Sequence, residues 1–261
     1  MGMEELGIPE KNQLPLKIRG QEHLATSGES NVWKVAVLDG KEPEREHAIV
    51  LKQSRRLAFA SDEEMRASKK FYEFLKNFPT FGNFVPETLY FKARMTGADT
   101  ETQTPASPPQ AFAIQHFLQG RTVDQMSDEE LYRDPAVVKQ LLELSRAAVT
   151  ILQATRAQKS FKPDFGTSDT ADTNAWRQGN RFGDSRFSTN ILVSNEPDEK
   201  GRRVFFVDTG VQPEERTDRL RQIVERQFMG RLREFNFNQW TKKLEKILVS
   251  QKHEGNETDS A

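Results

Sequence analysis

The chain has 261 residues, which is enough for one large domain or for two smaller lobes. Its 38 basic and 39 acidic residues nearly cancel, to a formal net charge of −1, which argues against binding to nucleic acid or to an acidic membrane through bulk charge. The absence of cysteine excludes disulfides, thiolate metal sites and cysteine nucleophiles, and no apolar stretch reaches the roughly 18 residues of a membrane span. We therefore expect a cytoplasmic protein without nucleic-acid or membrane partners.

The first hundred residues favour β-strands. Between residues 33 and 38, three apolar side chains alternate with other residues, and a second β-branched run covers residues 48–52, so the two segments predict a hairpin. Two further strands are predicted at residues 84–93 and 110–117. The polar segment between them, residues 96–109, has no periodic apolar residues and is expected to be disordered.

A helix is predicted between the second and third of these strands. Ser61 is suited to be its N-cap, and Glu64 three residues later would complete a capping box. Apolar residues follow at helical spacing from Met65 to Phe78, and Pro79 should end the helix.

The second half of the chain has a helical pattern. Apolar residues recur with a period of 3.6 residues after Asp134 and continue to Leu152, which predicts one long helix. Residues 162–179 are polar and predict a long loop. Residues 214–249 predict two amphipathic helices with a break near Gly230 or Asn236.

A second hairpin is predicted in this half, and it carries the first sign of chemistry. Its strands are residues 191–193 and 204–207; Asn190 directly precedes the first and Asp208 directly follows the second. In an antiparallel pair these two positions meet at one end, where an amide oxygen and a carboxylate suit Mg²⁺. The alternative is structural, since Asn and Asp also flank strands because they favour turns.

Two N-terminal features are compatible with phosphate binding. Residues 26–31 place a glycine and small polar residues in a turn between strands, where backbone N–H groups can hold phosphate oxygens. Lys52 ends the apolar strand, with Val50 on the same face, so its ammonium group can contact a phosphate as a point charge. A solvated strand end is the alternative for this lysine.

In chain order, these segments resemble the protein-kinase-like fold, and more closely its aminoglycoside phosphotransferase and choline-kinase-like branch. The matching segments are SGESNVWKV for the nucleotide loop, AIVLK for the strand with the ATP-binding lysine, QHFLQGRTV for the hinge beside adenine, FGDSRFSTNILV for the catalytic loop and VFFVDTG for the metal-binding segment. The resemblance extends from about Leu24 to Gly210.

The resemblance implies an ATP- and Mg²⁺-dependent phosphotransferase that acts on a small-molecule or protein hydroxyl. It assigns Lys52 to the α- and β-phosphates, Asn190 and Asp208 to Mg²⁺, and Asp184 to the base that orients the acceptor hydroxyl. The other nucleotide-site residues that it implies are Gly28, Glu29, Ser30, Asn31, Val50, Glu64, His116 and Leu118.

The fold class implied is α+β, with two lobes. The N-lobe is an antiparallel sheet plus one helix, and the C-lobe is mainly helical with a β-hairpin. We expect an N-terminal extension at residues 1–20, the N-lobe at 21–118, the C-lobe at 119–250 and a disordered tail at 251–261.

Three departures from the family pattern favour a different function. Phe182 replaces the histidine two residues before the base, and six residues rather than five separate Asp184 from Asn190. Ser68 stands where the helix should present a glutamate to Lys52; Glu64 is one turn earlier on the same face. A catalytically inactive, nucleotide-binding pseudokinase with a regulatory or scaffold role is therefore the alternative, and an α+β protein without nucleotide is a third.

Overall fold

The structure is a computed structural model, and it describes residues 18–26, 30–38, 46–54, 62–93, 110–157, 190–208 and 230–258. The chain divides into two compact units, each described separately below. The first unit comprises residues 1–72 and 86–118, and the second comprises residues 73–85 and 119–261. The polar segments at 96–109 and 162–179 lie outside the described residues.

The first unit contains a five-stranded antiparallel sheet of order β1-β2-β3-β5-β4. Its strands are β1 Ile18–Thr26, β2 Ser30–Leu38, β3 Glu46–Ser54, β4 Thr88–Ala93 and β5 Gln110–His116. Sequence analysis did not predict most of strand β1, and the first residues of this strand fall in the predicted N-terminal extension. The strand predicted from Phe84 starts only at Thr88, because Phe81–Phe84 form a 3-10 helix and Pro86 lacks a backbone donor.

One face of this sheet is apolar and buried. Its core is a cluster on the central strands β2, β3 and β5 that consists of Val35, Ile49, Leu51, Phe112 and Ile114. Trp33 and Phe91 pack against this cluster, and the Phe91 ring stacks on that of Phe112 at 5.5 Å between centroids. Because side chains alternate along a strand, Val50 and Lys52 lie on the other face of β3.

Helix α1, Asp62–Asn77, follows β3. Ser68, Phe71 and Leu75 are buried along it at helical spacing, as the amphipathic pattern predicts. The helix ends two residues before Pro79, which cannot continue it. The predicted N-cap Ser61 lies outside the described residues.

The second unit contains a three-stranded antiparallel sheet of order β6-β7-β8, together with helices. Its elements are β6 Gly120–Thr122, α2 Asp128–Tyr132, α3 Pro135–Ala157, β7 Ile191–Ser194, β8 Val204–Phe206 and α4 Gly230–Thr258. Strand β6 lies so close to β7 that a Cβ atom at Gly120 would collide with the Val193 carbonyl oxygen, so this position requires glycine. The predicted long helix and the predicted hairpin are both present.

Helices α3 and α4 pack on each other and form the helical core of this unit. On α4, Phe237, Trp240 and Leu244 are buried one turn apart. The Ser145 hydroxyl of α3 donates a hydrogen bond to the Phe237 carbonyl oxygen at 2.9 Å. The buried α3 side chains are Val137, Val138, Leu141, Leu142, Leu144, Ala147, Ala148, Ile151 and Leu152.

The structure differs from a helix break at Asn236 and from a disordered tail, whereas residues 214–229, which precede the alternative break at Gly230, lie outside the described residues. Helix α4 is continuous through Asn236 and extends to Thr258, and Gly230 is its first residue. Phe237 and Trp240 are buried directly after Asn236, and Glu234 before it accepts a hydrogen bond from Gln153 of α3 at 2.7 Å. These contacts outweigh the weak helix propensity of asparagine. Beyond the predicted end of the helix, the Gln251 side chain donates a hydrogen bond to the Tyr132 carbonyl oxygen at 2.7 Å.

Helix α2 begins with a capping box that the sequence analysis did not predict. The Ser127 hydroxyl accepts a hydrogen bond from the Glu130 amide at 3.2 Å, and the Glu130 carboxylate accepts one from the Ser127 amide at 3.0 Å. Arg121 donates to the same carboxylate at 2.9 Å. The Ser127 and Arg121 hydrogen bonds lower the pKa of Glu130 from 4.5 to about 2.

This lowered pKa gives the capping box a defined pH dependence. Because the folded-state pKa is below the ordinary value, the charge-dependent stabilisation is complete above about pH 4.5 and is lost as the pH falls towards 2. We expect wild type to melt at a slightly higher temperature than Glu130→Gln at pH 7, and this difference to disappear over that range. Glu129→Gln, at a more exposed neighbouring position, is the control. A difference that does not change with pH would contradict the assignment.

The fold class is α+β, as predicted, and it agrees with the two-lobed, kinase-like organisation. An antiparallel sheet with one helix is followed by a mainly helical unit that contains a β-hairpin. None of the helices in the described part of the chain is long and apolar enough to cross a membrane.

Candidate functional site

The β7–β8 hairpin brings Asn190 and Asp208 together at one end. The Asn190 side-chain nitrogen donates a hydrogen bond to Asp208 Oδ2 at 3.3 Å, and both residues are half-buried. The pairing of Ile191 with Phe206 and of Val193 with Val204 puts the start of β7 beside the end of β8. The Val207 amide adds a hydrogen bond of 2.9 Å to the Asn190 carbonyl oxygen, which extends the ladder to this pair.

The strands that carry this pair are firmly packed. Ile191, Val204 and Phe206 are fully buried, and Val193 and Phe205 are almost so. The Phe206 ring meets the Phe81 ring edge-on, with 5.3 Å between their centroids. A side chain next to such strands varies little in position, because the buried neighbours fix the backbone on which it stands.

The other end of the hairpin is held by Gln140 of α3. Its side-chain oxygen accepts hydrogen bonds from the backbone amides of Arg203 at 2.8 Å and Val204 at 3.1 Å, and its nitrogen donates to the Gly201 carbonyl oxygen at 3.0 Å. The Arg203 guanidinium is paired with Asp134 at 2.6 Å. The sequence analysis missed Gln140, whose only signal is a polar residue within an apolar helical stripe.

The connecting turn is closed by a second ion pair. Asp198 accepts hydrogen bonds from the backbone amides of Lys200 and Arg202 and from the Arg202 side chain, the last at 2.7 Å. Partial burial raises the pKa of Asp198, but these hydrogen bonds outweigh it and hold the pKa below its ordinary value. Gly201 has φ of +73°, a conformation that favours glycine at this turn.

The donor atoms at the open end of the hairpin fit a magnesium ion. Because the Asn190 side-chain nitrogen donates to Asp208, the amide oxygen of Asn190 and the carboxylate of Asp208 are the side-chain groups that could hold a metal ion. Mg²⁺ is commonly held by one or two protein oxygens, with water and phosphate oxygens in its other positions. Within the described ranges, no group of three or more His, Cys, Asp or Glu side chains is placed so that it could hold a metal ion.

In the first unit, Lys52 stands on the central strand β3. It pairs with Val32 on β2 and with Ala113 on β5, and its side chain is half-buried. Val50 lies on the same face, two residues earlier, and is also half-buried. This is the face opposite the apolar core, as expected for a lysine and a small apolar residue that contact a bound ligand.

Helix α1 packs beside the same face of the sheet. Tyr90 of β4 pairs with Ala113, which in turn pairs with Lys52, so the three side chains share one face. The Tyr90 ring contacts the ring of Tyr72 on α1, with 6.2 Å between centroids. Ser68 lies one turn before Tyr72 on the same side of the helix and is buried. The buried α1 residue one turn before the contact between Tyr72 and Tyr90 is therefore a serine.

The segment predicted to be the hinge leaves the sheet after β5. His116 pairs with Ile49, which places it on the apolar core face, opposite the face of Lys52. The next residue, Phe117, donates its amide to the Ala48 carbonyl oxygen at 3.2 Å, and the Lys34 ammonium lies 4.4 Å from the centre of its ring. Leu118 is half-buried and is the last residue of the first unit.

Several predicted site residues lie partly or wholly outside the described residues. Gly28, Glu29 and the proposed base Asp184 are outside them. Ser30 and Asn31 are the first residues of β2, and Glu64 is in the first turn of α1; only their backbones are described. Among the predicted site residues, the structure thus places Asn190 and Asp208 in direct contact, both in the second unit, and Val50 and Lys52 on one sheet face of the first.

Comparisons with known proteins found no family model that matches the chain and no match among curated proteins. Among solved structures, the chain is similar to a Stt7 homolog from Micromonas algae, whose crystal was soaked with ATP. The two are 12% identical with a TM-score of 0.35, and the similarity covers 77% of this chain. The chain spans 55% of the length of that protein. A similarity this low does not transfer a function.

Proposed function

We propose that the chain binds ATP with Mg²⁺ and acts as a phosphotransferase of the aminoglycoside phosphotransferase and choline-kinase-like type. The observation that carries the proposal is the contact between Asn190 and Asp208 at the open end of a buried hairpin. The half-buried position of Lys52, beside Val50 on the polar face of the first sheet, supports it.

The proposed roles follow from charge and hydrogen-bonding chemistry. Lys52 binds the α- and β-phosphates, while Asn190 and Asp208 hold the metal ion through one oxygen each. When bound, Mg²⁺ supplies charge neutralisation for the transferred phosphoryl group. Asp184 orients the acceptor hydroxyl and receives its proton as the oxygen attacks the γ-phosphorus and the bond to ADP breaks.

The first test is whether Mg·ATP binds. At a ligand concentration 100 times Kd, binding to the folded state adds about 2.7 kcal/mol of stability, so a clear rise in melting temperature is expected. The rise should disappear with excess EDTA and in Asn190→Ala. Asn83→Ala, an exposed asparagine elsewhere in the same unit, is the matched control and should keep it. A wild-type protein that shows no shift with Mg·ATP would overturn the proposal.

A second function, that of a catalytically inactive nucleotide-binding module, is favoured by Ser68. This buried serine occupies the side of α1 where a kinase presents a glutamate to its lysine. Ser68 itself carries no carboxylate, and phosphoryl transfer in protein kinases requires an ion pair between the strand lysine and a glutamate of this helix.

Turnover separates the two functions. We expect wild type to transfer or release phosphate from ATP at a rate that falls at least about 100-fold in Asp184→Ala, because a positioned base contributes roughly 10²–10⁴-fold. The measurement is Mg²⁺-dependent phosphate release with a panel of hydroxyl acceptors. Background rates for both proteins, together with a normal Mg·ATP melting shift, would assign the chain to the inactive class.

A further inference from the structure

A small polar cavity lies at the other end of the hairpin from Asn190 and Asp208. It has a volume of about 240 Å³ and lies within the second unit, between β6, α2 and the β7–β8 hairpin. Its lining residues are Arg121, Met126, Glu130, Arg133, Val193, Ser194, Asn195 and Arg203. Because β7 rises roughly 3.3 Å per residue, its four residues separate the cavity from the Asn190–Asp208 pair by about 13 Å.

The charged groups that line this cavity are mainly cationic. Three guanidinium groups, those of Arg121, Arg133 and Arg203, face a single carboxylate, that of Glu130. Arginine presents its donors in a planar fork that matches the oxygens of a phosphate group. The lining therefore has the donor geometry of an anion site rather than of an apolar ligand site.

Arg203 is held in position by the hairpin itself. Its Nε donates a hydrogen bond to the Ser194 carbonyl oxygen at 3.0 Å, and its Nη1 donates to Asp134 at 2.6 Å. Its Nη2 makes no hydrogen bond to any residue within the described ranges. The side chain is only 28% exposed, so its third nitrogen is fixed in place with little conformational entropy left to lose.

The other two arginines are bound less tightly. Arg121 uses one nitrogen for a hydrogen bond to Glu130, and the side chains of Arg121 and Glu130 are each about half exposed. Arg133 is 77% exposed and lies 3.8 Å from Glu129, a distance too long for a firm hydrogen bond. Exposed ion pairs of this kind contribute little to stability, so an entering anion displaces them at small cost.

Glu130 repels an anion less than an isolated carboxylate does. One of its oxygens accepts from Arg121, and the other accepts from the amide and hydroxyl of Ser127. Its charge is thus already compensated by Ser127 and by Arg121, which itself lines the cavity. Three guanidinium groups therefore border the space with Glu130 as the one carboxylate in the lining, while Asp134 and Glu129, the partners of Arg203 and Arg133, are not among the lining residues.

We propose that this cavity binds the phosphate dianion of a small phosphate-bearing ligand. Its volume is below the roughly 300–1,000 Å³ of pockets that enclose drug-sized molecules, which restricts the occupant to a phosphate and a few further atoms. Arg203 is the fixed anchor, and Arg121 of β6 and Arg133, the residue after α2, supply the other donors. The site is separate from the proposed nucleotide site and does not depend on it.

Calorimetric titration of the full chain with inorganic phosphate, at pH 8 and constant ionic strength, tests the proposal. We expect one site, with binding weakened about tenfold in Arg121→Gln and again in Arg133→Gln, because each removes a charge-assisted hydrogen bond. Arg146→Gln is the matched control: Arg146 is 58% exposed and pairs with Glu245 at 2.6 Å, away from the cavity. It should bind phosphate as wild type does.

Two further variants give signatures that a purely structural role would not. Glu129→Gln should tighten phosphate binding two- to threefold, because it removes the competing partner of Arg133. Asp208→Asn should leave phosphate binding unchanged, so a failed nucleotide site and a failed anion site are distinguishable. A second titration, with glycerol 3-phosphate, separates a site for free phosphate from one for a phosphate monoester. No binding of either probe, or equal binding by wild type and the Arg121→Gln/Arg133→Gln double variant, would overturn the proposal.

Discussion

Replacing Trp240 by alanine should destabilise the second unit by about 3–5 kcal/mol, the largest stability effect we expect for a single core substitution. The indole is fully buried in α4, its N–H donates to the Tyr132 hydroxyl at 3.2 Å, and its ring packs 6.2 Å from that of Phe237. Truncation to alanine leaves a cavity at the α3–α4 contact and removes the hydrogen bond from the indole to the Tyr132 hydroxyl. With roughly 2–4 °C per kcal/mol for a chain of this size, the melting temperature should fall by roughly 6–20 °C.

Chemical denaturation followed by far-UV circular dichroism measures this loss. Trp240→Phe keeps an aromatic ring in the same space and should lose clearly less stability than Trp240→Ala. Phe235→Ala is the control for an exposed aromatic residue on the same helix, 47% exposed, and should change stability by about 0.5 kcal/mol or less. Equal losses for Trp240→Ala and Phe235→Ala would mean that α4 does not pack as described.

The β7–β8 hairpin was predictable from the sequence because its information is local. Two short apolar runs, a turn-rich connection and the flanking Asn190 and Asp208 are all visible within twenty residues. Antiparallel pairing then requires the ends to meet, and the hydrogen bond between the two side chains is the direct consequence. The long helix α3 was predictable for the same reason, since its periodicity continues over many turns.

The features that sequence analysis missed depend on distant contacts. Gln140 meets Arg203 and Val204 from more than sixty residues away, and no pattern at either position indicates the pairing. Helix α4 remains continuous through Asn236 because α3 buries its apolar side, whereas local propensity predicts a break. The arginine-lined cavity is formed by residues of β6, α2 and the β7–β8 hairpin, which are far apart in the sequence. The net charge of −1 for the whole chain therefore gives no indication that three arginines come together there.

His116 illustrates a different difficulty. The resemblance to kinases identifies a hinge segment, but the face to which each side chain points depends on strand register. The pairing of His116 with Ile49 places it on the core face, whereas Lys52 is on the other. A motif assigned by order along the chain thus does not determine which of its side chains faces a ligand.

Asp208→Asn should weaken the Mg²⁺-dependent binding of ATP by at least about 100-fold, or about 2.8 kcal/mol, and abolish any turnover. The substitution preserves the shape of the side chain and an oxygen that can accept the hydrogen bond from Asn190. It removes only the negative charge that the proposed metal site requires.

We expect a different combination of effects on stability and on ATP binding from Asp198→Asn in the same hairpin. Asp198 closes the turn through Arg202 and two backbone amides, so its replacement should lower the melting temperature while leaving the Mg²⁺ dependence of ATP binding unchanged. The measurement is ATP titration at several Mg²⁺ concentrations for wild type and both variants. If Asp208→Asn binds Mg·ATP as tightly as wild type, the open end of the hairpin is not the metal site. In that case the contact between Asn190 and Asp208 serves only to close a strand pair.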